Sequence, residues 1–294
     1  MKIGFTLKPK DGNIEDFEKQ IEDLEKIGAG SAEIPLYELD VVCGKKIIKD
    51  ELKLLNKFTL KSNLKFSIHG SMSVNLLDED YLEEHLQVLE KEIQVCSDLN
   101  INILVTHFGH TSVATSQNQK KYNDLINIQK QKYFEMAEIA KVHGVKLCIE
   151  NIFPYTNLHF TALPSEVSES IREINHPNAR TTIDFSHAYI NCNLRKKDLL
   201  PEIETMIPFT EHLHVHDSFG KFKTMYTYIF AEDITYGQGD IHLPLGWGDI
   251  PFDKIFSSGA FNKDIFFNFE LSQRYKKYYS QNVEKAKKLI SLVK

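Results

Sequence analysis

The chain has 294 residues, of which 42% are hydrophobic, so it is long enough to bury a large core. Its formal net charge of -6 argues against a broad basic surface for nucleic acid, although three bound divalent cations would cancel that charge. No apolar run approaches the roughly 18 residues that a membrane-spanning helix needs, which argues against a membrane partner.

The cysteines and the N-terminal segment indicate a cytoplasmic protein. Cys43, Cys96, Cys148 and Cys192 lie far apart and form no C-x-x-C pair, so we interpret them as reduced thiols. The first residues are too poor in apolar side chains for a secretory signal and predict a strand instead. No Pro/Gly/Ser-rich linker or change of composition marks a boundary, so we expect one domain over residues 1–294.

Short β-rich runs alternate with longer stretches of helical periodicity along the whole chain. Strands are predicted at 2–7, 32–37, 65–70, 102–107, 146–152, 180–186, 211–217 and 265–271. Helices are predicted at 14–28, 46–62, 79–98, 122–143, 164–174, 196–205, 252–258 and 277–293. The polar stretch 111–123 is predicted to be a mobile loop over the site, and 218–250 to be a long loop.

Strands separated by helices imply parallel pairing, because a parallel connection needs a crossover. Eight such units predict an α/β fold of the (β/α)8 TIM-barrel type, which needs about 250 residues. An open doubly wound sheet is the competing architecture. No Gly-x-Gly-x-x-Gly or Gly-x-x-x-x-Gly-Lys loop follows the first strand, which weakens the nucleotide-binding version of that sheet.

Residues of the types that ligate metals recur at the carboxyl ends of six predicted strands and in the long loop. In a barrel these ends converge on one face, where such enzymes place their sites. A lone histidine or strand-terminal acid is more often a structural partner or a helix cap, but the recurrence at matching positions favours metal binding. The predicted ligands are His69, His107, Glu150, Asp184, His187, His214, Asp240, His242 and Glu270.

The segments that carry these residues resemble the xylose isomerase-like TIM barrels, which include sugar phosphate isomerases and epimerases and endonuclease IV. Each segment is weakly specific alone, but their order and spacing are typical of the superfamily over nearly the whole chain. The segments are 68–75, 106–109, 149–151, 183–188, 214–217, 240–250 and 269–270.

The resemblance implies two alternative functions. In the isomerase and epimerase branch, Glu150, Asp184, His214 and Glu270 hold one divalent metal, and Glu150 and Glu270 move a proton at the substrate carbon. In the endonuclease IV branch, all nine ligands hold three metals that hydrolyse a phosphodiester of abasic DNA or another phosphoester. A barrel that binds a sugar-like ligand without turnover is a third class.

Further side chains are predicted to contact the substrate. These are Glu33, His216, Lys221 and Trp247. Alternation places His214 and His216 on the same face of a strand, so one of them is expected to bind metal and the other to contact substrate or support a ligand. The Ala-Glu-Ile context of Glu33 resembles the isomerase branch, and the acidic segment 33–40 would repel a phosphate backbone.

We therefore predict a metal-dependent isomerase or epimerase that acts on a small-molecule sugar or sugar phosphate. One to three divalent ions are expected, with Zn²⁺ or Mn²⁺ favoured over Co²⁺, Mg²⁺ or Fe²⁺. The phosphodiester hydrolase with three metals is the alternative, and a nucleic acid partner is not favoured. A homo-oligomer is compatible with this prediction.

Overall fold

A computed structural model describes residues 1–294 and contains a closed barrel of parallel strands. In chain order, the barrel strands are Lys2–Thr6, Ser31–Pro35, Lys65–His69, Ile103–His107, Lys146–Glu150, Ala179–Asp184, Thr210–Val215 and Phe266–Phe269. Each strand pairs with its neighbours in this order, and the first strand closes the barrel against the last, with Lys2 opposite Phe266. The predicted (β/α)8 TIM barrel is confirmed.

Amphipathic helices cover the outside of the barrel. They are Asp16–Lys26, Lys49–Lys61, Leu82–Asp98, Gln119–Val142, Pro164–Ile174, Phe185–Arg195, Leu199–Met206, Phe252–Ser258 and Tyr279–Ser291. In the first helix, Phe17, Ile21 and Leu24 recur at helical spacing and are buried. The helices and the strands share one hydrophobic core of 64 buried residues. None of the helices combines the length and the apolarity needed to cross a membrane.

The barrel interior changes from apolar to polar along the strands. Ile103, Val105, Cys148 and Phe266 form an apolar cluster separate from the main core. Because side chains alternate between the two faces of a strand, residues two positions further along point to the same side as these. The interior above the apolar cluster therefore receives the polar side chains near the carboxyl ends of the strands.

The polar stretch 111–123 is not the loop that the sequence predicted. It forms the strand His110–Ser112, the helix Val113–Gln117 and the first turn of the helix Gln119–Val142. Ser112 caps the first helix by accepting a hydrogen bond from Thr115 N, and Asn118 caps the second by accepting one from Lys121 N. Such caps stabilise polar helix starts that hydrophobic periodicity does not detect.

The sixth and seventh units also contain more structure than was predicted. The helix Phe185–Arg195 begins directly at the end of the sixth strand, where the Asp184 side chain caps it, and Leu199–Met206 follows as a second helix. The predicted loop 218–250 contains the helix Phe230–Tyr236. Two short antiparallel pairs, Val42–Cys43 with Lys46–Ile47 and His110–Ser112 with His159–Thr161, lie outside the barrel.

Candidate metal centre

The predicted ligands form one continuous cluster of acids and histidines. Each has a nitrogen or oxygen atom within 4.0 Å of another member of the cluster. Seven of them are buried, whereas Asp240 and His242 are half-buried. Burying so many ionisable groups is unfavourable unless their charges are paired or ligate a cation.

Glu150 lies at the centre of the cluster. Its Oε1 atom is 3.2 Å from both His187 Nδ1 and His214 Nδ1. Its Oε2 atom is 3.3 Å from His69 Nε2 and 3.8 Å from His107 Nε2, yet it is buried without a hydrogen-bond partner. Each carboxylate oxygen of Glu150 therefore faces a different pair of histidines.

His214 connects Glu150 to two further acids. Its Nδ1 atom lies 3.7 Å from Glu270 Oε2 and 3.9 Å from Asp184 Oδ2, and it is also buried without a hydrogen-bond partner. Buried polar atoms without partners are rare in folded proteins. A divalent cation among Glu150, Asp184, His214 and Glu270 would satisfy these atoms, and three carboxylates with one imidazole suit such an ion.

A further group of ligands lies around Asp240, beside the central group of Glu150, Asp184, His214 and Glu270. Its Oδ2 atom is 2.7 Å from His242 Nε2 and 3.4 Å from His187 Nε2. Its Oδ1 atom accepts a hydrogen bond of 2.8 Å from Ser186 Oγ. His216 bridges this group and the central one, because its Nε2 atom is 3.0 Å from Asp184 Oδ2 and its Nδ1 atom is 3.7 Å from Asp240 Oδ1.

Most of the histidines are oriented by backbone carbonyls. Their Nδ1 atoms lie at hydrogen-bond distance from a carbonyl oxygen, at 2.9 Å for His69, 3.0 Å for His107, 3.1 Å for His187 and 2.5 Å for His242. A proton on Nδ1 donates to that carbonyl and leaves the Nε2 lone pair directed at the cluster. In the neutral form of His69, His107 and His242, Nε2 is therefore the nitrogen that can ligate a metal.

The electrostatics of the cluster favour anionic carboxylates. Burial opposes the ionisation of Glu150, but the charge of His214 and hydrogen bonds from His187 and His214 hold its pKa well below the usual range. Burial also opposes the ionisation of Glu270, and the charges of His214 and His242 lower its pKa nonetheless. In contrast, burial lowers the pKa of His107 to about 4, so its imidazole is neutral at pH 7.

A cavity of about 350 Å³ opens directly above this cluster. Its walls include ligands from each group and the side chains of Met72, Phe153, Tyr155 and Phe230. Its single lysine is Lys223, whose Nζ atom donates to Asp233 Oδ2 at 2.8 Å. The cavity has the size of a small-molecule site, and its lining combines metal ligands with apolar side chains.

The loop that delivers Asp240 and His242 is anchored by a buried carboxylate. Asp217 accepts hydrogen bonds from the backbone N–H groups of Ser218, Gly246 and Ile250, at 3.0, 2.7 and 3.3 Å. His242 itself has a φ of +47°, a conformation that is uncommon for a residue with a side chain. Such strain persists where the surrounding structure fixes the backbone, which the contacts of Asp217 do here.

Residues 21–287 match the family model of the xylose isomerase-like TIM barrel. The chain belongs to this family. The resemblance inferred from the order of the motifs is therefore confirmed, and the match covers seven of the eight barrel strands.

The chain is similar to several proteins that are distant from it in sequence. A 3-dehydroshikimate dehydratase from Bacillus anthracis is 26% identical over 188 residues, which span 60% of this chain and 61% of that relative. A D-tagatose 3-epimerase-like protein superposes with a TM-score of 0.71 at 18% identity over 100% of this chain and 98% of the other. D-psicose 3-epimerase from Clostridium cellulolyticum H10 gives 0.69 at 14% identity, with full coverage of both chains. At these identities the structural likeness shows the fold.

The predicted substrate contacts do not line the cavity. Glu33 is fully buried beneath His214, and His216 is buried with its ring stacked on His242 at 4.2 Å. Trp247 is half-exposed against Tyr275 and Tyr278, and Lys221 packs over Phe219. Lys223, two residues further along, is the lysine that reaches the cavity.

Two buried residues of the site were missed by the sequence analysis. His212 Nε2 lies 3.2 Å from Glu33 Oε2, and the alternation that pairs His214 with His216 would have placed His212 on the same face. Asn151 forms a reciprocal pair with the Asp184 backbone, in which its Oδ1 accepts from Asp184 N at 3.0 Å and its Nδ2 donates to Asp184 O at 2.9 Å. Asn151 lies in the family-typical segment 149–151, but that segment does not indicate the contact with the Asp184 backbone.

Proposed function

We propose that this protein is a metal-dependent isomerase or epimerase of a small sugar or sugar phosphate. One observation carries the proposal. The carboxylates of Glu150 and Glu270 approach the same atom, His214 Nδ1, from 3.2 and 3.7 Å, and both line the small cavity. Two carboxyl groups at one small-molecule site can take and return a proton at a carbon next to a carbonyl.

The donor atoms around His214 fit one divalent cation. Glu150, Asp184, His214 and Glu270 would hold it. A bound cation would polarise the substrate carbonyl and lower the barrier to removing the neighbouring proton.

The chain's own residues would move the proton. One of Glu150 and Glu270 takes the proton from the carbon next to the carbonyl. The electron pair of that C–H bond forms a carbon–carbon double bond, and the π pair of the carbonyl moves to its oxygen to give an enediolate. For isomerisation, the same carboxyl group, now protonated, returns the proton to the neighbouring carbon. For epimerisation, the other carboxylate takes a proton from solvent and gives it to the opposite face of the carbon, while the first carboxyl group loses its proton to solvent. Both carboxylates have a lowered pKa and are ready to accept a proton at pH 7.

The walls of the cavity support a small polyhydroxy substrate. Phe153, Tyr155 and Phe230 give it apolar surface that excludes water and packs against carbon. The lysine of the cavity, Lys223, is paired with Asp233 and is therefore not free to bind the phosphates of a nucleic acid. The names of the two epimerase-type structures with this fold agree with a ketose as the substrate class.

The test is solvent exchange on the metal-loaded protein. Free ketoses and ketose phosphates are incubated with it in D₂O and followed by NMR. We expect deuterium at one carbon next to the carbonyl, together with a second stereoisomer or an aldose, and we expect a chelator to abolish both. A full panel of substrates without exchange, with bound metal verified, would overturn the proposal, and a product that has lost water would assign a dehydratase instead.

Phosphoester hydrolysis is a second candidate, because the chain supplies more ligands than one metal needs. His69 and His107 flank one oxygen of Glu150, while His187, Asp240 and His242 form a further group beside the other. Several cations sharing Glu150 would suit a bound hydroxide and a phosphate. Chelator-sensitive cleavage of an abasic duplex or of bis(p-nitrophenyl) phosphate, without sugar exchange, would establish this function in place of the first.

A further inference from the structure

We propose that Glu33 is a positioning residue that fixes His214 as a ligand through Nδ1 and makes it the strongest imidazole donor of the cluster. The inference rests on the proposed function only in requiring that the central group of Glu150, Asp184, His214 and Glu270 binds a metal. It assigns Glu33 a role beneath the metal rather than at the substrate.

The two nitrogens of His214 face opposite partners. Its Nε2 atom lies 3.0 Å from Glu33 Oε2 and 3.2 Å from Glu33 Oε1. Its Nδ1 atom faces Glu150 at 3.2 Å and has no hydrogen-bond partner. Because a carboxylate can only accept a hydrogen bond, Glu33 places the proton of a neutral His214 on Nε2 and leaves the Nδ1 lone pair for the metal.

This arrangement is unlike that of the other ligand histidines. His69, His107 and His242 have a neutral backbone carbonyl at the nitrogen away from the cluster, whereas the Nδ1 atom of His187 contacts both a carbonyl and Glu150. A hydrogen bond to an ionised acceptor is roughly twice as strong as one to a neutral acceptor. A carboxylate partner therefore increases the electron density of the imidazole more than a carbonyl does, so His214 becomes the better donor.

Glu33 differs from the carboxylate that contacts His216. The Nε2 atom of His216 also has a carboxylate partner, Asp184 Oδ2 at 3.0 Å, but Asp184 belongs to the central ligand group. A cation bound there would compete with His216 for that oxygen. Glu33 lies outside the ligand group and keeps its hydrogen bond to His214 when the site is loaded.

Glu33 is held in place from several barrel strands. Its Oε1 atom accepts hydrogen bonds from Thr6 Oγ1 at 2.9 Å and from Asn268 Nδ2 at 3.0 Å. Its Oε2 atom lies 3.2 Å from His212 Nε2. The Glu33 side chain has no exposed surface and is absent from the cavity wall. A carboxylate so fixed cannot swing to the substrate, but it can hold one imidazole in a single orientation.

A purely structural role is the competing explanation, because a buried carboxylate pairs with buried histidines in any case. The two explanations differ in what they predict for the bound metal. A structural role changes stability and leaves a correctly folded variant with the same metal site. A positioning role changes the affinity and the ligand field of that site.

The experiment is a cobalt titration of Glu33→Gln, followed by the visible absorption of the bound Co²⁺ and by circular dichroism of the fold. We expect the tightest Co²⁺ equivalent to bind about 10- to 100-fold more weakly than in the wild type, with shifted absorption bands. Ser67→Ala is the matched control, since Ser67 Oγ contacts His212 Nε2 at 3.2 Å in the same buried layer without touching His214. The control should bind Co²⁺ as the wild type does.

Equal affinity and identical bands in folded Glu33→Gln would overturn the proposal. Should Glu33→Gln not fold, Glu33→Asp keeps the charge but withdraws it from His214, and wild-type affinity in that variant would overturn the proposal equally. Failure of the proposed function is a separate outcome. A wild-type protein that binds Co²⁺ tightly but exchanges no sugar proton would refute the isomerase and leave the role of Glu33 to be decided by the titration.

Discussion

His214 Nδ1 and Glu150 Oε1 lie 3.2 Å apart, although their residues come from the seventh and fifth strands of the barrel. Both side chains are buried, so their charges interact with little screening by water. Burial lowers the pKa of His214, but Glu33, Glu150 and Glu270 raise it well above the usual value. A metal that binds at Nδ1 must therefore displace a proton.

Metal binding should strengthen as the pH rises. Among the proposed ligands, His214 has a pKa well above its usual value, because the opposing effect of burial is outweighed by Glu33, Glu150 and Glu270. A group with a raised pKa is protonated below that pKa, so a proton competes with the metal for His214 and the metal affinity decreases as the pH falls. For one displaced proton the affinity changes about tenfold per pH unit. Calorimetry in buffers of different ionisation enthalpy checks this, and affinity independent of pH from 6 to 9 would contradict it.

Turnover should depend on Glu270, one of the two acids of the proposed proton transfer. Glu270→Gln keeps the size of the side chain but removes the charge and the base, so we expect at least a 100-fold loss of exchange rate with an intact fold. Glu284→Gln is the control, because Glu284 is an exposed acid on the last helix that pairs with Lys287. Full activity in Glu270→Gln, measured by deuterium exchange, would refute the assignment of the site.

The number of metals should separate the two candidate functions. We expect elemental analysis of protein purified without added metal to give close to one ion per chain, and we expect His107→Ala to retain it. The reason is that His107 faces Glu150 Oε2, on the side away from His214. Close to three ions, all lost in His107→Ala, would indicate an interdependent cluster and favour the phosphoesterase.

Gly248→Ala should disrupt the loop that carries His242. A Cβ atom at Gly248 would lie 2.2 Å from the backbone oxygen of Ser218 and 2.4 Å from Asp217 Oδ1, so the anchoring carboxylate must move. We expect a loss of about 1–3 kcal/mol in unfolding free energy and weaker metal binding. Gly30→Ala is the control, since the nearest atom to its Cβ lies 4.0 Å away and its φ is not positive. Equal urea midpoints and metal affinities for the two variants would contradict the role of this loop.

The sequence predicted the barrel and the ligands for one physical reason. Strand ends of a parallel barrel converge, so His69 and Glu150 could be placed together without any knowledge of their rotamers. The sequence alone could not show which side chains of the cluster contact each other, because those contacts depend on distances between side chains of non-adjacent strands. Glu33 illustrates this limit, since its position near a strand end suggested a substrate contact, whereas its side chain is buried against His214. The helix Phe185–Arg195 was missed because its start depends on a cap from Asp184, a residue already interpreted as a ligand.

Glu92 should make the stability of the protein depend on pH. It is 2% exposed on the helix Leu82–Asp98, its Oε1 accepts from Ser71 N at 2.6 Å, and its Oε2 has no partner. Burial raises its pKa from 4.5 to about 7 despite the hydrogen bond from Ser71. The folded state therefore binds the proton more tightly than the unfolded state does. This contribution to stability is complete below about pH 4.5 and is lost as the pH rises through about 7.

Glu92→Gln mimics the protonated side chain, so this variant should not lose stability at this position as the pH rises. Between pH 5 and pH 8 we expect its unfolding free energy to gain about 2–3 kcal/mol relative to the wild type, measured by urea denaturation at each pH. Glu90→Gln is the control, because Glu90 is an exposed acid on the same helix and should shift the wild-type curve equally at both pH values. Parallel pH profiles for the wild type and Glu92→Gln would show that Glu92 is ionised in the folded protein and that a cation or an unrecognised donor stabilises its charge.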